Sequence, residues 1–200
     1  MAKIDVAEIK RLRELTGVGI TDAKQALVDS EGDFDKALQA MRKKGLTKAE
    51  KRGEREARSG VVYTYNHDNR IGVVLEVNCE TDFVARNELF VNFVKDIAMH
   101  IAASNPEFVS VDRVSEDAKT AKRAEFKEKA SEEGKPADML DKIVDGMLSK
   151  HFAERCLMEQ PFVKNPDQSV AEYAKEMIAK LGENIVVRQF SRLELGQSQS

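Results

Sequence analysis

The stretch IGVVLEVNC, residues 71–79, decides the fold of this chain. Every second residue, starting with the first, is apolar, and this period-two alternation is typical of a strand with one buried face. A β-rich run over residues 61–66 precedes it, and the intervening HDNR, residues 67–70, predicts a turn. The two runs therefore predict an antiparallel hairpin. A third β-rich run, residues 185–195, is expected to complete a three-stranded sheet.

The N-terminal residues 1–45 predict a separate three-helix domain. Apolar residues recur there at helical spacing in three stretches, which glycine-containing turns separate. Asp5, Thr21 and Asp33 stand where N-caps of the three helices would be. We expect the third helix to end near Gly45.

Residues 46–59 predict a charged linker between this domain and the sheet. Eight of the eleven residues from Lys48 to Arg58 carry a charge. A solvated linker or helix with internal ion pairs is one interpretation. An arm that contacts RNA or phosphate is the other, and the interspersed glutamates count against it because they would repel a phosphate backbone.

Further helices are predicted between the second and third strands. A buried helix over residues 89–101 should end before Pro106. A charged helix followed by an apolar one predicts a helical hairpin arm at about residues 115–160. A capping box formed by Ser169 and Glu172 is expected to start the last helix.

The predicted fold class is therefore α+β. It has an N-terminal three-helix domain and a core over residues 60–196, in which a small antiparallel sheet packs with helices. Residues 197–200 are expected to form a disordered tail.

Composition narrows the classes of function. The net charge is −3, with 32 basic and 35 acidic residues, whereas dedicated nucleic-acid binders usually carry a basic excess. Two cysteines do not make a disulfide framework. The N-terminus lacks an apolar signal-peptide core, and no apolar run approaches the ~20 residues of a membrane span. We therefore expect a cytoplasmic protein that does not bind a membrane. No nucleic-acid partner is expected either, although the distribution of charge permits an RNA contact from the N-terminal part.

Catalytic chemistry finds little support in the sequence. The chain has no phosphate-binding glycine loop, no nucleophile elbow and no C-x-x-C or H-x-x-x-H spacing. Cys79 continues the inward side of the strand and is predicted to be a core residue. Cys156 is predicted to be a core or helix–helix contact, with a contact between two chains as the alternative.

The segment TDFVARN, residues 81–87, is the best candidate for a functional loop. It connects a strongly patterned strand with a strongly patterned helix, and such exposed connections on rigid elements often carry function. Phe83 within it has two interpretations. It folds back on the next helix as a hydrophobic staple, or it enters a pocket of another protein as a wedge.

Several motifs resemble those of the bacterial translation elongation factor Ts family. NCETDFVARN, residues 78–87, looks like its second signature, and LRELTGVGITDAK, residues 12–24, looks like its first. IAMHIAA, residues 97–103, and EQPFV, residues 159–163, also match. The resemblance runs in order from about residue 5 to 196, and the N-terminal part also resembles a ubiquitin-associated three-helix domain.

This resemblance implies a guanine-nucleotide exchange factor for elongation factor Tu. In the family, the core touches the partner's nucleotide-binding domain and its third domain, and a loop displaces the Mg²⁺ that bridges the partner and GDP. Here the matching loop is Thr81, Asp82, Phe83 and Val84, with Asp82 and Phe83 as the intruding pair. No catalytic step, no cofactor and no direct nucleotide binding are implied.

The resemblance also implies partner contacts elsewhere. Arg13 and Ile20 match positions through which the N-terminal domain docks on a helix of the partner, and His67 resembles an interface histidine. The chain has one hairpin-containing core unit where long family members have two, so a homodimer is expected. The apolar helix stripe from Met139 to Leu157 is the predicted contact between the two copies.

An adaptor that binds RNA or a ubiquitin-like protein is the alternative function. The three-helix domain and the charged linker suggest it. Loss or retention of RNA, and complex formation with elongation factor Tu, would distinguish the two classes.

Overall fold

A computed structural model of the chain describes residues 4–136 and 139–197. It divides into two compact units, one comprising the residues up to Met99 and those from Ala171 onward, the other His100–Val170. The helices are α1 (Val6–Thr16), α2 (Ile20–Asp29), α3 (Phe34–Arg52), α4 (Asp82–Ala85), α5 (Glu88–Ser104), α6 (Glu116–Glu132), α7 (Leu140–Arg155) and α8 (Val170–Leu181). The strands are β1 (Ser59–His67), β2 (Ile71–Cys79), β3 (Pro161–Phe162), β4 (Asn165–Ser169) and β5 (Ile185–Glu194).

The predicted three-stranded sheet is present in the first unit. Its strands lie in the order β1-β2-β5, and both pairings are antiparallel. Val73, Leu75, Val77 and Cys79 of β2 are buried, as the alternation predicts. Cys79 lies opposite Ile185 in the register, so the residues that follow β2 and those that precede β5 are neighbours.

Three helices form at the N-terminus as predicted, with a core cluster of their own. Asp5 and Asp33 cap α1 and α3, accepting hydrogen bonds of 3.0 Å from the amides of Ala7 and Lys36. The prediction that Thr21 caps α2 is wrong. The helix begins at Ile20, because the extended backbone of Gly19 leads directly into it. The buried members of the cluster are Ile9, Leu12, Ala23, Ala26, Leu27, Ala37 and Met41.

The third helix does not end near Gly45 as predicted. It continues to Arg52, so residues 46–52 are helical and the predicted linker is confined to the residues after them. Gly45 is buried within the helix, where an added Cβ would meet the side chain of Ala179 on α8 at 3.4 Å. This distance is an ordinary van der Waals contact, so the glycine lies inside a packed helix and does not terminate it.

The second unit contains the two helices of the predicted arm. Arg123 of α6 lies 2.6 Å from Asp145 of α7, and Lys127 lies 3.7 Å from Asp141, so the helices run antiparallel. A small apolar cluster of Val114, Phe152 and Cys156 lies beside them.

The apolar stripe predicted to meet a second copy is partly covered by the chain itself. Val144, Phe152, Cys156 and Leu157 are buried. Met139 remains 49% exposed. The interpretation of Cys156 as a core residue is confirmed. The remaining apolar residues of the stripe are half-buried, so part of it stays accessible to a partner: Leu140, Ile143, Met147 and Leu148.

The tail predicted at residues 197–200 falls mostly outside the described residues. Gln197 donates its amide to the carbonyl oxygen of Glu194. Across residues 4–136 and 139–197, no helix is both long enough and apolar enough to cross a membrane.

Candidate functional site

The segment that follows β2 forms a single capped helical turn. Thr81 is the N-cap of α4, and its Oγ1 accepts a hydrogen bond of 3.4 Å from the amide of Val84. Val84 and Ala85 point inward and are buried, and α4 lies against β1 and β2. The turn is therefore anchored to the sheet by its own apolar residues.

Phe83 projects from this turn into solvent. Its side chain is 82% exposed, the highest value among the exposed large apolar residues of the described chain. The staple interpretation requires the ring to pack on the following helix, and this exposure contradicts it. Asp82 beside it is also exposed. An exposed aromatic ring next to a carboxylate, on a turn with a buried base, is the geometry that a protein-binding wedge requires.

Two polar residues that the sequence analysis did not single out hold the base of this turn. Glu183 and Asn184 precede β5 and hydrogen-bond to Glu80 and Thr81. The sequence points to these contacts only through the predicted pairing of the two strands. Antiparallel pairing of Cys79 with Ile185 brings the residues just beyond these two strand ends together.

Arg13 and Ile20 lie at one end of the N-terminal helices. Arg13 is in the last turn of α1, Ile20 is the first residue of α2, and the connecting turn is closed by a hydrogen bond from the Gly17 amide to the Arg13 carbonyl. Both side chains are exposed, Ile20 at 53%. The structure thus brings these two predicted contact residues to the same turn.

His67 lies at the far end of the hairpin from Phe83. It is the last residue of β1, exposed, and its Nδ1 lies 3.1 Å from the Tyr65 hydroxyl oxygen. It pairs with Ile71, whereas Thr81 follows the opposite end of β2. Eight strand steps separate these ends by roughly 27 Å. A partner that contacts both His67 and Phe83 must therefore extend along the whole strand.

Neither cysteine of the chain offers a reactive thiol. Cys79 is buried, and its Sγ donates a 3.2 Å hydrogen bond to the Thr81 carbonyl oxygen. Burial raises the pKa of the Cys79 thiol to about 11, and burial does the same for Cys156, also to about 11. Both therefore stay protonated at neutral pH. The residues that the structure describes contain no group of three or more His, Cys, Asp or Glu placed to hold a metal ion.

Comparisons with known proteins match these motifs to one family. The family model described as Elongation factor TS matches residues 45–197. A protein named Elongation factor Ts from Caldanaerobacter subterraneus subsp. tengcongensis is 47% identical over 195 residues, which cover 97% of this chain and 98% of that relative. One of the same name from Carboxydothermus hydrogenoformans is 49% identical over 190 residues, covering 94% and 88%. One from Geobacter sulfurreducens is 47% identical over 195 residues, covering 97% and 90%.

The matched region contains the sheet, the capped turn with Phe83 and the helical hairpin, and the similarity to the relatives extends over the N-terminal helices as well. This chain belongs to the elongation factor Ts family.

Proposed function

We propose that this chain is a guanine-nucleotide exchange factor that promotes release of GDP from elongation factor Tu during translation elongation. Membership in the elongation factor Ts family implies exchange on this partner. The observation that carries the proposal at the level of residues is the 82% exposed Phe83 on a turn whose other apolar residues are buried. The ring lies on the segment that matches the family's loop, and exposed aromatic side chains are enriched where one protein contacts another.

The proposed mechanism is displacement of Mg²⁺ from the partner's nucleotide site. Asp82 and Phe83, which are exposed, enter the partner, whereas Thr81 and the buried Val84 of the same predicted loop hold the turn in place. Their insertion shifts the elements of the partner that hold the metal, and GDP loses the cation that neutralises its phosphates. A factor that binds the nucleotide-free partner more tightly must weaken nucleotide binding by the same factor. Binding energy alone therefore accomplishes exchange, without proton transfer or a covalent intermediate.

Three further residues are proposed to contact the partner. Arg13 and Ile20 dock on a helix of its nucleotide-binding domain, and their position at one exposed turn supports a shared contact. His67 meets the partner elsewhere. Its separation from Phe83 along β2 suits the proposed contact of the core with two partner domains, the nucleotide-binding domain and the third domain. The chain is proposed to act in the cytoplasm, as a homodimer.

Release of labelled GDP from elongation factor Tu tests the proposal. We expect this chain to accelerate release at micromolar Mg²⁺. Chelation of Mg²⁺ should accelerate release without the factor and should shrink the factor's additional effect, because both act on the same ion. An undiminished acceleration in chelator would contradict the displacement mechanism. No acceleration under any condition, together with retention of RNA or a ubiquitin-like protein, would favour the adaptor function.

A further inference from the structure

We propose that Glu183 is a positioning residue for nucleotide exchange, which acts by fixing the peptide that carries Phe83. This inference rests on the proposed function, because it assigns Glu183 an effect on exchange through the exposed ring. The juxtaposition that carries it is a carboxylate at the start of β5 that binds the backbone and the hydroxyl of the residues immediately before the wedge.

The Glu183 carboxylate accepts three hydrogen bonds from the segment. One oxygen, Oε2, lies 3.1 Å from the amide nitrogen of Glu80 and 3.0 Å from that of Thr81. The other, Oε1, lies 2.7 Å from the Thr81 hydroxyl oxygen. Hydrogen bonds to a charged acceptor are stronger than those between neutral groups. Two consecutive amides and a side chain are thus held by one residue that is about 100 positions away in the sequence.

These contacts determine the orientation of the Thr81 hydroxyl. An ionised carboxylate has no proton to give, so the hydroxyl must donate to Glu183. Its lone pairs then remain for the amide of Val84, which is the N-cap bond of α4. Glu183 therefore orients the cap of the turn on which Phe83 is the second residue.

The backbone that carries Glu183 is held in place through the neighbouring residue, Asn184. The Asn184 amide donates to Glu80 Oε1 at 2.7 Å, which reciprocates the bond from the Glu80 amide to Glu183. The Asn184 side chain is 2% exposed, and its Nδ2 donates to the carbonyl oxygens of Gly53 and Arg55 at 3.2 and 2.6 Å. The segment after α3, the end of β2 and the start of β5 are therefore joined at this point.

A wedge needs such support because the exposed ring cannot orient itself. Phe83 is too exposed for packing within its own chain to fix the direction in which it points. Its direction follows from the backbone of Thr81 and from the buried side chain of Val84. An error of about 1 Å in the placement of a functional group can cost roughly a hundredfold in rate. Loss of the bonds that hold the Thr81 backbone should therefore reduce the rate of nucleotide exchange, even though Phe83 itself is still present.

Exchange assays on Glu183→Ala and Glu183→Gln test the proposal. At saturating factor, we expect Glu183→Ala to lower the rate of GDP release by roughly tenfold to a hundredfold. Glu183→Gln should recover most of the rate, because its amide oxygen still accepts from the two backbone amides. The bond to Thr81 reverses, so that the hydroxyl oxygen accepts from the NH₂ group and from the Val84 amide while its proton turns to solvent. Glu50→Ala is the matched control. It removes another carboxylate that joins two elements, through a 2.8 Å contact with Lys175, and should leave exchange unchanged. A Glu183→Ala rate equal to that of Glu50→Ala would overturn the proposal.

A double-mutant cycle with Phe83→Ala distinguishes positioning from general stability. If Glu183 acts through Phe83, adding Glu183→Ala to Phe83→Ala should slow exchange less than twofold further. Fully multiplicative losses would overturn the proposal.

Amide hydrogen exchange of Glu80 and Thr81 in the free protein should accelerate in Glu183→Ala and remain slow in Glu183→Gln. If this acceleration occurs while Phe83→Ala alone leaves GDP release intact, Glu183 does hold the Glu80 and Thr81 amides, but the proposed role of Phe83 as a wedge is wrong. If the amides remain protected in Glu183→Ala, the proposed anchoring of this segment by Glu183 is wrong.

Discussion

We expect the same substitution, phenylalanine to alanine, to affect stability very differently at Phe83 and at Phe90. Phe83→Ala removes a ring that is 82% exposed, so the melting temperature should hardly change. Phe90 is fully buried, and Phe90→Ala should cost about 3–5 kcal/mol of unfolding free energy. For Phe83→Ala the loss should appear in exchange. An interface hot spot of ~2 kcal/mol or more corresponds to a drop of roughly thirtyfold in the rate constant of GDP release.

Melting curves and GDP-release traces on the same samples decide this prediction. Asp82→Ala should weaken exchange less than Phe83→Ala, because an exposed carboxylate is partly screened by solvent. A Phe83→Ala variant with normal exchange and reduced stability would remove the central residue of the mechanism.

His100 links acidity to stability within the second unit. Its side chain is fully buried, its Nδ1 accepts a 3.2 Å hydrogen bond from the Val163 amide, and its Nε2 lies 2.9 Å from Gln160 Oε1. Accepting from an amide requires an unprotonated Nδ1, so the ring is the neutral Nε2–H tautomer. Burial lowers the pKa of His100 below its ordinary value of 6.5, and this outweighs the opposing effect of Gln160.

Stability should therefore fall as the pH drops below about 6.5, by at most about 1.4 kcal/mol per pH unit for this group. The sign follows because the unfolded chain binds a proton at His100 more readily than the folded chain does. Urea unfolding at several pH values between 7.5 and 5.5 measures the slope. His100→Asn should flatten it, although it also lowers stability at pH 7.5. Comparison with the parent chain cancels the shifts at His151 and Glu159. Parallel slopes in the two proteins would contradict this role.

At the scale of elements, the sequence predicted best what local periodicity determines. The alternation of residues 71–79 predicted β2, because burial of one face selects every second side chain. The end of α3 was mispredicted at Gly45, because a glycine that stops a helix and one that lies within a packed helix look alike without the neighbouring helix. Glu183 was missed because its partners are known only from the strand pairing. The exposure of Phe83 likewise depends on what packs beside the turn, so the sequence left two interpretations open.

The extended α3 sharpens a prediction about the N-terminal helices. Residues after Gly45 support the part of the unit that contains the sheet. Ala49 is buried, and Arg52 donates a 3.1 Å hydrogen bond to the Ile178 carbonyl oxygen. Deletion of residues 1–45 should therefore leave a folded core. Because it removes Arg13 and Ile20, the factor concentration for half-maximal GDP release should rise about tenfold or more.

Two comparisons control this deletion. A longer deletion that starts the chain at Ser59 also removes the contacts of Arg52 and should lower the melting temperature. In the full chain, Arg13→Ala should weaken partner binding, whereas Lys43→Ala, at another exposed basic position, should not. Full-rate exchange at low factor concentration by the chain without residues 1–45 would show that the docking role is wrong for this protein.

A second copy of the chain could contact either of two apolar surfaces. The solvent-facing side of the three-stranded sheet is more exposed than the Met139–Leu157 stripe. Val62, Val74, Leu193 and Leu195 are 69%, 47%, 59% and 68% exposed. Thr64 pairs with Val74, which pairs with Ser191, so Val62, Val74 and Leu193 form a diagonal row across all three strands. On the Met139–Leu157 stripe, Met139 is the exposed apolar residue, and the others are half-buried or buried. A second copy of the chain therefore has more to bury on the sheet than on the stripe.

Sedimentation equilibrium over a micromolar concentration range tests the proposed homodimer and its surface. We expect a dimer for the parent chain. Val74→Lys places a charge in the centre of the diagonal row at an exposed position, so it should shift the equilibrium to monomer while the melting of the monomer remains cooperative. Met139→Lys is the matched variant on the stripe, at a residue with nearly the same exposure, and should leave the dimer intact. If Met139→Lys dissociates the dimer and Val74→Lys does not, the two copies contact each other through the Met139–Leu157 stripe. A monomer at every concentration in the parent chain would exclude the homodimer. GDP release by Val74→Lys then separates assembly from exchange, because Phe83, Arg13 and Ile20 remain in place on each copy.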